Sequence, residues 1–419
     1  MAGEVSLNVQ LNRNFFPVIG GPQLAYVLIE AMPTANVAHV QMPINFSLVL
    51  DRSGSMNGQK LNDMKQAAIL AVDQMTPQDV FSIVIFDDKV EVLVPAQAIT
   101  DPHRLKQQID GISDRGGTAI SLGMRDSLAE LRKNLGPNRV SRMLLLTDGE
   151  TYGDEDKCIA LAGEAGQSGV TVTALGLGND WNTNLLDSIA QASGGNSDFI
   201  PEGRADVVLQ TFQRSVQAAQ KTVVQNAQMI LRLLPGASPK QVWRVVPVID
   251  RLNHRAISDR DVQVDLGDLA KGEGQTVMVE LLLPPRQPGN YRMAQAEVSY
   301  DVHAAGLVGE KVKADVVLAF TADANQAALI NPAVMNIVER VTAHKLQTRA
   351  LDEAAAGNIA GATQKLRAAA TRLLDMGEVD LAQAAEQEAK NLEQQGKMSA
   401  GGTRKLRYET RKLTQKLDE

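Results

Sequence analysis

The chain has 419 residues, of which 44% are hydrophobic and 22% charged, a balance typical of a globular protein with two or three domains rather than a disordered one. Its net charge of −7 argues against a general binder of nucleic acid or acidic membranes, because both need a basic surface. The single cysteine, Cys158, excludes an intrachain disulfide and a zinc site made of several cysteines.

The sequence has no feature typical of export or of membrane insertion. Its first residues contain no basic stretch followed by an apolar one. No apolar run approaches the roughly 20 residues that a membrane-spanning helix needs. We therefore expect a cytoplasmic protein without membrane insertion.

The N-terminal region, residues 1–42, is predicted to form strands. Apolar and polar residues alternate over residues 5–12, which is the period of a half-buried strand. Residues 24–31 and 37–42 have a similar strand-like character. These strands need partners from elsewhere in the chain.

Residues 43–219 alternate strands with helices, and this pattern predicts a doubly wound, mostly parallel α/β sheet of six strands. The predicted strands are residues 44–50, 80–86, 90–94, 143–147, 170–175 and 198–200. The second and third of these are joined by a tight turn, so one of them is expected to be an antiparallel edge strand.

Two further regions follow. Residues 220–325 read as strands separated by Gly- and Pro-containing turns, which predicts a β-sandwich that residues 1–42 would join. Residues 326–419 predict a C-terminal bundle, because Ala-rich helices are separated by short loops. Asn331 and Pro332 read as the cap and first residue of a helix. The predicted helices are 333–356, 359–376, 379–395 and 403–417, with stops at Gly357, Gly377 and Gly396.

The residues that could bind a ligand follow directly after two buried strands. The first runs into Asp51-Arg52-Ser53-Gly54-Ser55, and the second into Asp148. Neighbouring strands of a doubly wound sheet bind ligands beyond their carboxyl ends at the switch point, so these segments should meet. Thr118 lies at the start of a predicted helix, and from there its side chain can reach the same crevice.

The expected metal ligands are two carboxylates and three hydroxyls, from Asp51, Ser53, Ser55, Thr118 and Asp148. Hard oxygen ligands that are few in number suit Mg²⁺ or Mn²⁺, and Ca²⁺ less well. Because neutral hydroxyls leave the ion electrophilic, it should accept a further anionic oxygen from outside the chain.

The pattern Asp51-x-Ser53-x-Ser55, Thr118 and Thr147-Asp148-Gly149 resembles the metal ion-dependent adhesion site of von Willebrand factor A domains. The segment from Gly176 to Asn182 is similar to the fifth strand edge and following helix of bacterial members. The resemblance implies that Ser53, Ser55 and Thr118 coordinate directly or through water, and that Asp51 and Asp148 act largely through water. It also implies, more loosely, a domain set inside a β-sandwich.

The function that follows is a metal-dependent, non-enzymatic module that binds an Asp or Glu carboxylate on a partner protein. Arg52 is a candidate partner contact that would steer acidic ligands, with a solvated side chain as the alternative. Trp181 is either a candidate partner contact or a residue that packs its loop. An assembly protein that binds through its sandwich and helices is the alternative, and a metal-assisted hydrolase is a third. A haloacid dehalogenase-type phosphatase is disfavoured because Ser53 stands where the second acid is needed, and no phosphate-binding Gly-rich loop with Lys is present.

Overall fold

The computed structural model describes residues 3–151, 153–178 and 180–415. Two compact units divide the chain. The first is made of residues 1–40 and 223–419, and the second of residues 41–222. The predicted fold class is confirmed: a mostly parallel α/β sheet occurs together with antiparallel sheets and C-terminal helices.

The secondary structure, in chain order, begins with strands β1 (Val5–Leu11), β2 (Phe15–Pro17) and β3 (Gln23–Pro33). The α/β unit contains β4 (Ile44–Asp51), α1 (Gln59–Gln74), β5 (Val80–Phe86), β6 (Val90–Ala98), α2 (Pro102–Asp110), α3 (Ile120–Arg132), β7 (Val140–Thr147), α4 (Glu155–Gln167), β8 (Val170–Leu177), α5 (Thr183–Ser193), β9 (Asn196–Ile200) and α6 (Ala205–Lys221). The chain continues with β10 (Thr222–Leu233), β11 (Ser238–Val246), β12 (Asp250–Leu252), β13 (His254–Ala256), β14 (Asp261–Ala270), β15 (Gln275–Leu283), β16 (Gly289–Val302), β17 (Leu307–Thr321), α7 (Ala324–Ala328), α8 (Pro332–Ala355), α9 (Ile359–Asp375), α10 (Val379–Gln395) and α11 (Ala400–Arg411).

In the α/β unit the described strands form a sheet of order β6-β5-β4-β7-β8-β9. All neighbours are parallel except β6, which is the antiparallel edge strand that the tight turn predicts. Every residue of β4 and β5 is buried, because helices cover both faces of the sheet. Helix α1 packs with α2 and α6, whereas α4 packs with α3 and α5, so the helices that follow β4 and β7 lie on opposite faces. The switch point therefore lies between β4 and β7.

In the other unit two antiparallel-rich sheets have the orders β1-β3-β15-β11-β12 and β13-β14-β10-β16-β17-β2. Strand β3 pairs with β15 over nine residues and has β1 on its other side, so β3 is an interior strand of its sheet. Successive side chains of β3 alternate between the two faces of that sheet. One face carries Leu28, which packs with Trp243, Met278 and the buried side chains of α8, α9 and α10 in one apolar core. Each fully buried side chain of this size contributes about 1.5–3 kcal/mol.

Helices α8 to α10 begin and end as the sequence predicts. The Asn331 side chain accepts hydrogen bonds from the backbone N–H groups of Ala333 and Val334, with Pro332 at the first helical position. Gly357, Gly377 and Gly396 follow α8, α9 and α10 with φ of +81°, +81° and +70°, a backbone conformation that favours glycine. The predicted last helix, 403–417, runs instead over Ala400–Arg411, and its residues 416 and 417 lie outside the described residues.

The strand predicted at residues 37–42 is wrong. This segment forms turns, yet Val37, Val40 and Met42 are buried. Their apolar character therefore reflects packing of a connecting segment and not strand pairing. Within the described residues, none of the helices combines the length and the apolar character that crossing a bilayer requires.

Candidate metal centre

Asp51 is the last residue of β4, and its carboxylate is fully buried. Its Oδ1 accepts the backbone N–H of Ser53 at 2.8 Å, and its Oδ2 accepts the hydroxyl of Thr147 at 2.5 Å. Burial raises the pKa of Asp51 to about 6, and the nearby Asp148 carboxylate adds to the rise, although hydrogen bonds from Thr147 and Ser53 oppose it. A buried acid of this kind is stabilised in its charged form by a nearby cation.

Asp148 follows β7, the neighbour of β4, and is also fully buried. Its Oδ1 accepts the hydroxyl of Ser55 at 2.7 Å, and the hydroxyls of Ser53 and Ser55 are 3.0 Å apart. The Ser55 hydroxyl therefore lies between the Ser53 hydroxyl and the Asp148 carboxylate. These contacts connect the two strand ends through oxygen atoms alone.

Thr118 reaches the same place from the segment before α3. A Cβ built on Gly149 would lie 3.3 Å from Thr118 Oγ1 and 3.7 Å from Ser55 Oγ, so both hydroxyls lie against Gly149. Ser55 is exposed and Thr118 partly exposed, so the cluster of oxygens opens to solvent on one side. The structure thus brings together the five side chains that the sequence singles out as ligands.

Hydrogen bonds between backbone groups fix the segment that carries Thr118. Gly54 N donates to Gly116 O at 3.1 Å, and Arg115 N donates to Arg52 O at 2.7 Å. On the other side, Thr151 Oγ1 donates to Thr118 O at 3.3 Å. These hydrogen bonds hold the three loops next to one another.

The side chain of Arg52 is not available to a partner, contrary to the sequence prediction. It is only 6% exposed, and its Nε donates to Asp87 Oδ2 at 2.8 Å. Its Nη2 lies 3.2 Å from Glu91 Oε2. The guanidinium turns inward because a buried carboxylate needs a cationic partner.

Of the two alternatives for Trp181, the structure supports packing of the loop and not contact with a partner. It is 1% exposed, and its Nε1 donates to Gly178 O at 2.9 Å. The indole fills space left by Gly176, where a Cβ would lie 2.0 Å from the ring. Trp181 therefore packs the loop after β8 from inside. Asn179, in the same segment, lies outside the described residues.

Lys60 and Asp87 belong to the site, although the sequence analysis did not select them. Lys60, the second residue of α1, places Nζ 2.7 Å from Asp148 Oδ2. Asp87 follows β5, and its Oδ2 accepts from both Arg52 and Arg115. Because β5 pairs in parallel with β4, its carboxyl end is adjacent to Asp51, and this position could have identified Asp87. No comparable signal marks Lys60.

Asp154 has a structural role. Its Oδ2 accepts the backbone N–H of Ser121 at 2.9 Å, at the start of α3, and its other oxygen bonds to Thr151. Within the described residues no group of three or more His, Cys, Asp or Glu side chains is arranged to hold a metal ion. A cation at this crevice would therefore depend on the serine and threonine hydroxyls.

Comparison with known families fits this geometry. Residues 45–215 match the model of the von Willebrand factor type A domain. The chain contains a von Willebrand factor type A domain. Residues 332–416 match the Sll0103-like, C-terminal alpha-helical domain. Domains of the von Willebrand type often mediate interactions between proteins.

Among individual proteins, the chain is 32% identical over 269 residues to the uncharacterized protein sll0103 of Synechocystis, a match that covers 64% of this chain and 63% of the relative. It is 30% identical over 188 residues to human inter-alpha-trypsin inhibitor heavy chain H4, covering 42% of this chain and 20% of that one. The chain thus spans less than two thirds of these relatives.

A solved structure, the von Willebrand factor type A protein from Catenulispora acidiphila, is similar over 97% of this chain and 96% of that chain. The TM-score is 0.77 at 19% identity. At this identity the likeness concerns the fold, including the sheets and helices outside the von Willebrand type domain.

Proposed function

We propose that the von Willebrand factor type A domain binds a divalent cation and uses it to bind a carboxylate of a partner protein, without turning over a substrate. Mg²⁺ is the preferred ion, followed by Mn²⁺, with Ca²⁺ less favoured. The residues that would hold the ion are Asp51, Ser53, Ser55, Thr118 and Asp148.

The observation that carries this proposal is the convergence of oxygen atoms from three loops at the switch point. Ser53 Oγ and Ser55 Oγ are 3.0 Å apart, and Ser55 Oγ is 2.7 Å from Asp148 Oδ1. Oxygen donors of this kind suit a hard divalent cation. The exposure of Ser55 leaves room for a ligand oxygen from outside.

The partner's chemistry follows from the charge that the site would carry. Three of the five donors are neutral hydroxyls, which add no negative charge at the ion, so a divalent cation there stays electrophilic and can accept a further anionic oxygen. An Asp or Glu side chain supplies such an anion on a protein surface.

The proposal is tested by affinity capture with the whole chain as bait, in Mg²⁺ and in EDTA. Asp51→Ala should abolish the capture of partners seen in Mg²⁺, and EDTA should do the same to the wild type. Asp73→Ala is the matched control, since Asp73 is 47% exposed on α1 and pairs with Lys106. Calorimetric titration with Mn²⁺ measures ion binding separately.

Capture that persists with Asp51→Ala and in EDTA would overturn the proposal. Circular dichroism of the Asp51→Ala variant shows whether its fold is retained. If its fold is lost, Ser53→Ala provides the second variant, because it removes one hydroxyl and no charge.

A second candidate function is assembly through the antiparallel sheets and helices. It is favoured by two exposed apolar residues at the turn between α9 and α10, Leu374 at 59% and Val379 at 46% exposure. Replacing both with Ser should abolish capture if that surface binds the partner, and should leave it intact if the metal centre does. Deleting the helices is unsuitable for this test, because they share an apolar core with β3, β11 and β15.

A further inference from the structure

Lys60 occupies a position that the proposed function does not explain. Its Nζ lies 2.7 Å from Asp148 Oδ2, and the side chain is 17% exposed. The other oxygen of the same carboxylate accepts the Ser55 hydroxyl. The ammonium therefore stands beside one of the expected ligand groups of the metal centre.

The environment of Lys60 is shaped to hold it there. A Cβ on Gly178 would lie 3.6 Å from Lys60 Nζ and 3.7 Å from its Cε, so the glycine leaves space for the end of the side chain. Gly178 has φ of +73°, which disfavours replacement by other residues. Glu202 Cβ is 4.0 Å from the same built atom, so Glu202 also lies close to Gly178.

The contact between Lys60 and Asp148 affects the charge balance of the metal centre. Asp51 and Asp148 are both fully buried, and a buried carboxylate is costly unless a cation compensates it. Lys60 supplies one positive charge to Asp148 when no other cation is present. A divalent ion bound by Asp148 would carry the same compensation and would repel the ammonium at close range.

We propose that Lys60 is an internal competitor for the metal, a positioning residue that stabilises Asp148 without the ion and has to be displaced when the ion binds. This inference rests on the proposed function. The competition from Lys60 lowers the affinity for the cation below the value that the oxygen ligands alone would give.

The test compares Mn²⁺ binding by calorimetry to the full chain and to Lys60→Met, at low ionic strength and constant pH. Removal of the competing ammonium should raise the Mn²⁺ affinity about tenfold, the size expected for a close and mostly buried charge pair. Without metal, Lys60→Met should unfold at a lower temperature than the wild type. Addition of Mn²⁺ should raise its unfolding temperature by more than it raises that of the wild type.

Lys65→Met is the matched control. Lys65 lies on the same helix and bonds to Asp110 O, so its loss removes one charge without touching Asp148. Its Mn²⁺ affinity should change less than twofold. Lys60→Arg keeps the charge and should bind Mn²⁺ no more tightly than the wild type. Lys60→Gln removes the charge with a polar side chain and should raise the affinity as Lys60→Met does, so it maintains the test if Lys60→Met does not fold.

The outcomes separate this inference from the proposed function. Equal Mn²⁺ affinity in the wild type and Lys60→Met overturns the role of Lys60 and leaves the metal centre standing. Equal increases in Lys60→Met and Lys65→Met reduce the effect to net charge and also overturn it. Absence of Mn²⁺ binding in all variants overturns the proposed metal function, and the competitor role with it.

Discussion

The buried position of the Trp181 ring requires a glycine at position 176. A Cβ on Gly176 would overlap the indole, with 2.0 Å to Cε2 and 2.2 Å to Cδ2. The glycine is therefore required because the ring lies flat against the backbone of β8. The buried ring anchors the loop that also carries Gly178, next to Lys60.

Trp181→Ala should lower the free energy of unfolding of the α/β unit by about 3–5 kcal/mol, because it leaves a large cavity. Trp181→Phe should cost less, since it keeps most of the buried volume and loses the hydrogen bond to Gly178 O. Urea unfolding followed by circular dichroism measures both. If Trp181→Phe abolished partner capture while keeping its stability, Trp181 would be a binding residue after all.

The positions of the oxygen-bearing side chains could be predicted from sequence because they follow from topology. Asp51 and Asp148 each follow a buried strand, and strands on either side of a switch point bring their ends together. The orientations of Arg52 and Trp181 could not be predicted in the same way. They depend on a carboxylate, Asp87, and a gap, at Gly176, supplied by other segments.

At the scale of elements, Asp87 connects two of the loops that form the centre. Its Oδ2 accepts from Arg52 in the loop after β4, and from Arg115 in the segment before α3. Its Oδ1 accepts the backbone N–H of Lys89 at 2.8 Å. This carboxylate therefore fixes the loop of Ser53 and Ser55 relative to Thr118.

Asp87→Ala should cost about 3 kcal/mol of unfolding free energy, because it leaves the Arg52 guanidinium buried without its main partner. It should also weaken Mn²⁺ binding, although Asp87 is not an expected ligand. Arg52→Met combined with Asp87→Ala should recover part of the stability, since both charges are then removed. Chemical unfolding and calorimetry measure the two effects, and a stability loss under 0.5 kcal/mol in Asp87→Ala would contradict the argument.

A buried histidine contributes to the contacts of α8 with α11. His344 Nδ1 lies 2.9 Å from Thr410 Oγ1, and its ring meets Trp243 edge-on at a centroid distance of 6.2 Å. Burial lowers the pKa of His344 to about 3, and the nearby Arg411 and Arg407 reinforce the shift. His344 therefore has a packing role between these helices.

The pH dependence of stability follows from that shift. Between pH 6.5 and 3 the unfolded chain binds a proton at His344 and the folded chain does not, so stability falls as the pH falls, by at most about 1.4 kcal/mol per pH unit. His344→Asn should be less stable at pH 7 but should lose stability less steeply between pH 6.5 and 4.5. Parallel curves for the wild type and the variant in urea unfolding would contradict this assignment.

The short strands β2, β12 and β13 were not predicted, because three residues carry too little periodicity. The long elements were predictable for the opposite reason. The central strands β4 and β5 are buried along their whole length, and helix α8 has a cap and a glycine stop. Local signals thus located the long elements, and the strands that were missed are those too short to show a period.

For the molecule as a whole, only one of the two units is made of a single continuous stretch of the chain. Residues 41–222 form one unit, whereas the other requires residues 1–40 together with 223–419. We therefore expect residues 41–222 to fold when expressed alone, with one cooperative thermal transition and Mn²⁺ affinity within about twofold of the full chain. Scanning calorimetry and titration test this, and an unfolded or non-binding fragment would contradict it.

The complementary fragment, residues 223–419, should not fold alone. It lacks β3, which pairs with β15 along nine residues, so it would expose the edge of β15 and the apolar residues that β3 covers. Joining residues 3–40 to residue 223 through a flexible linker should restore a cooperative transition. Failure of the joined fragment under conditions in which the full chain folds would contradict this division.

The pairing of β3 with β15 also has a consequence for synthesis on the ribosome. Ala31 pairs with Gln275, so β3 leaves the ribosome about 240 residues ahead of its partner. At roughly 5–20 residues per second, that delay is about 12–50 s, which is long compared with the folding of a single domain. Strand β3 can pair with β1 during this interval, but its β15 edge and its apolar face stay uncovered while residues 41–222 complete their own structure. We therefore expect this interval to be the one in which the chain is most exposed to aggregation and to chaperones.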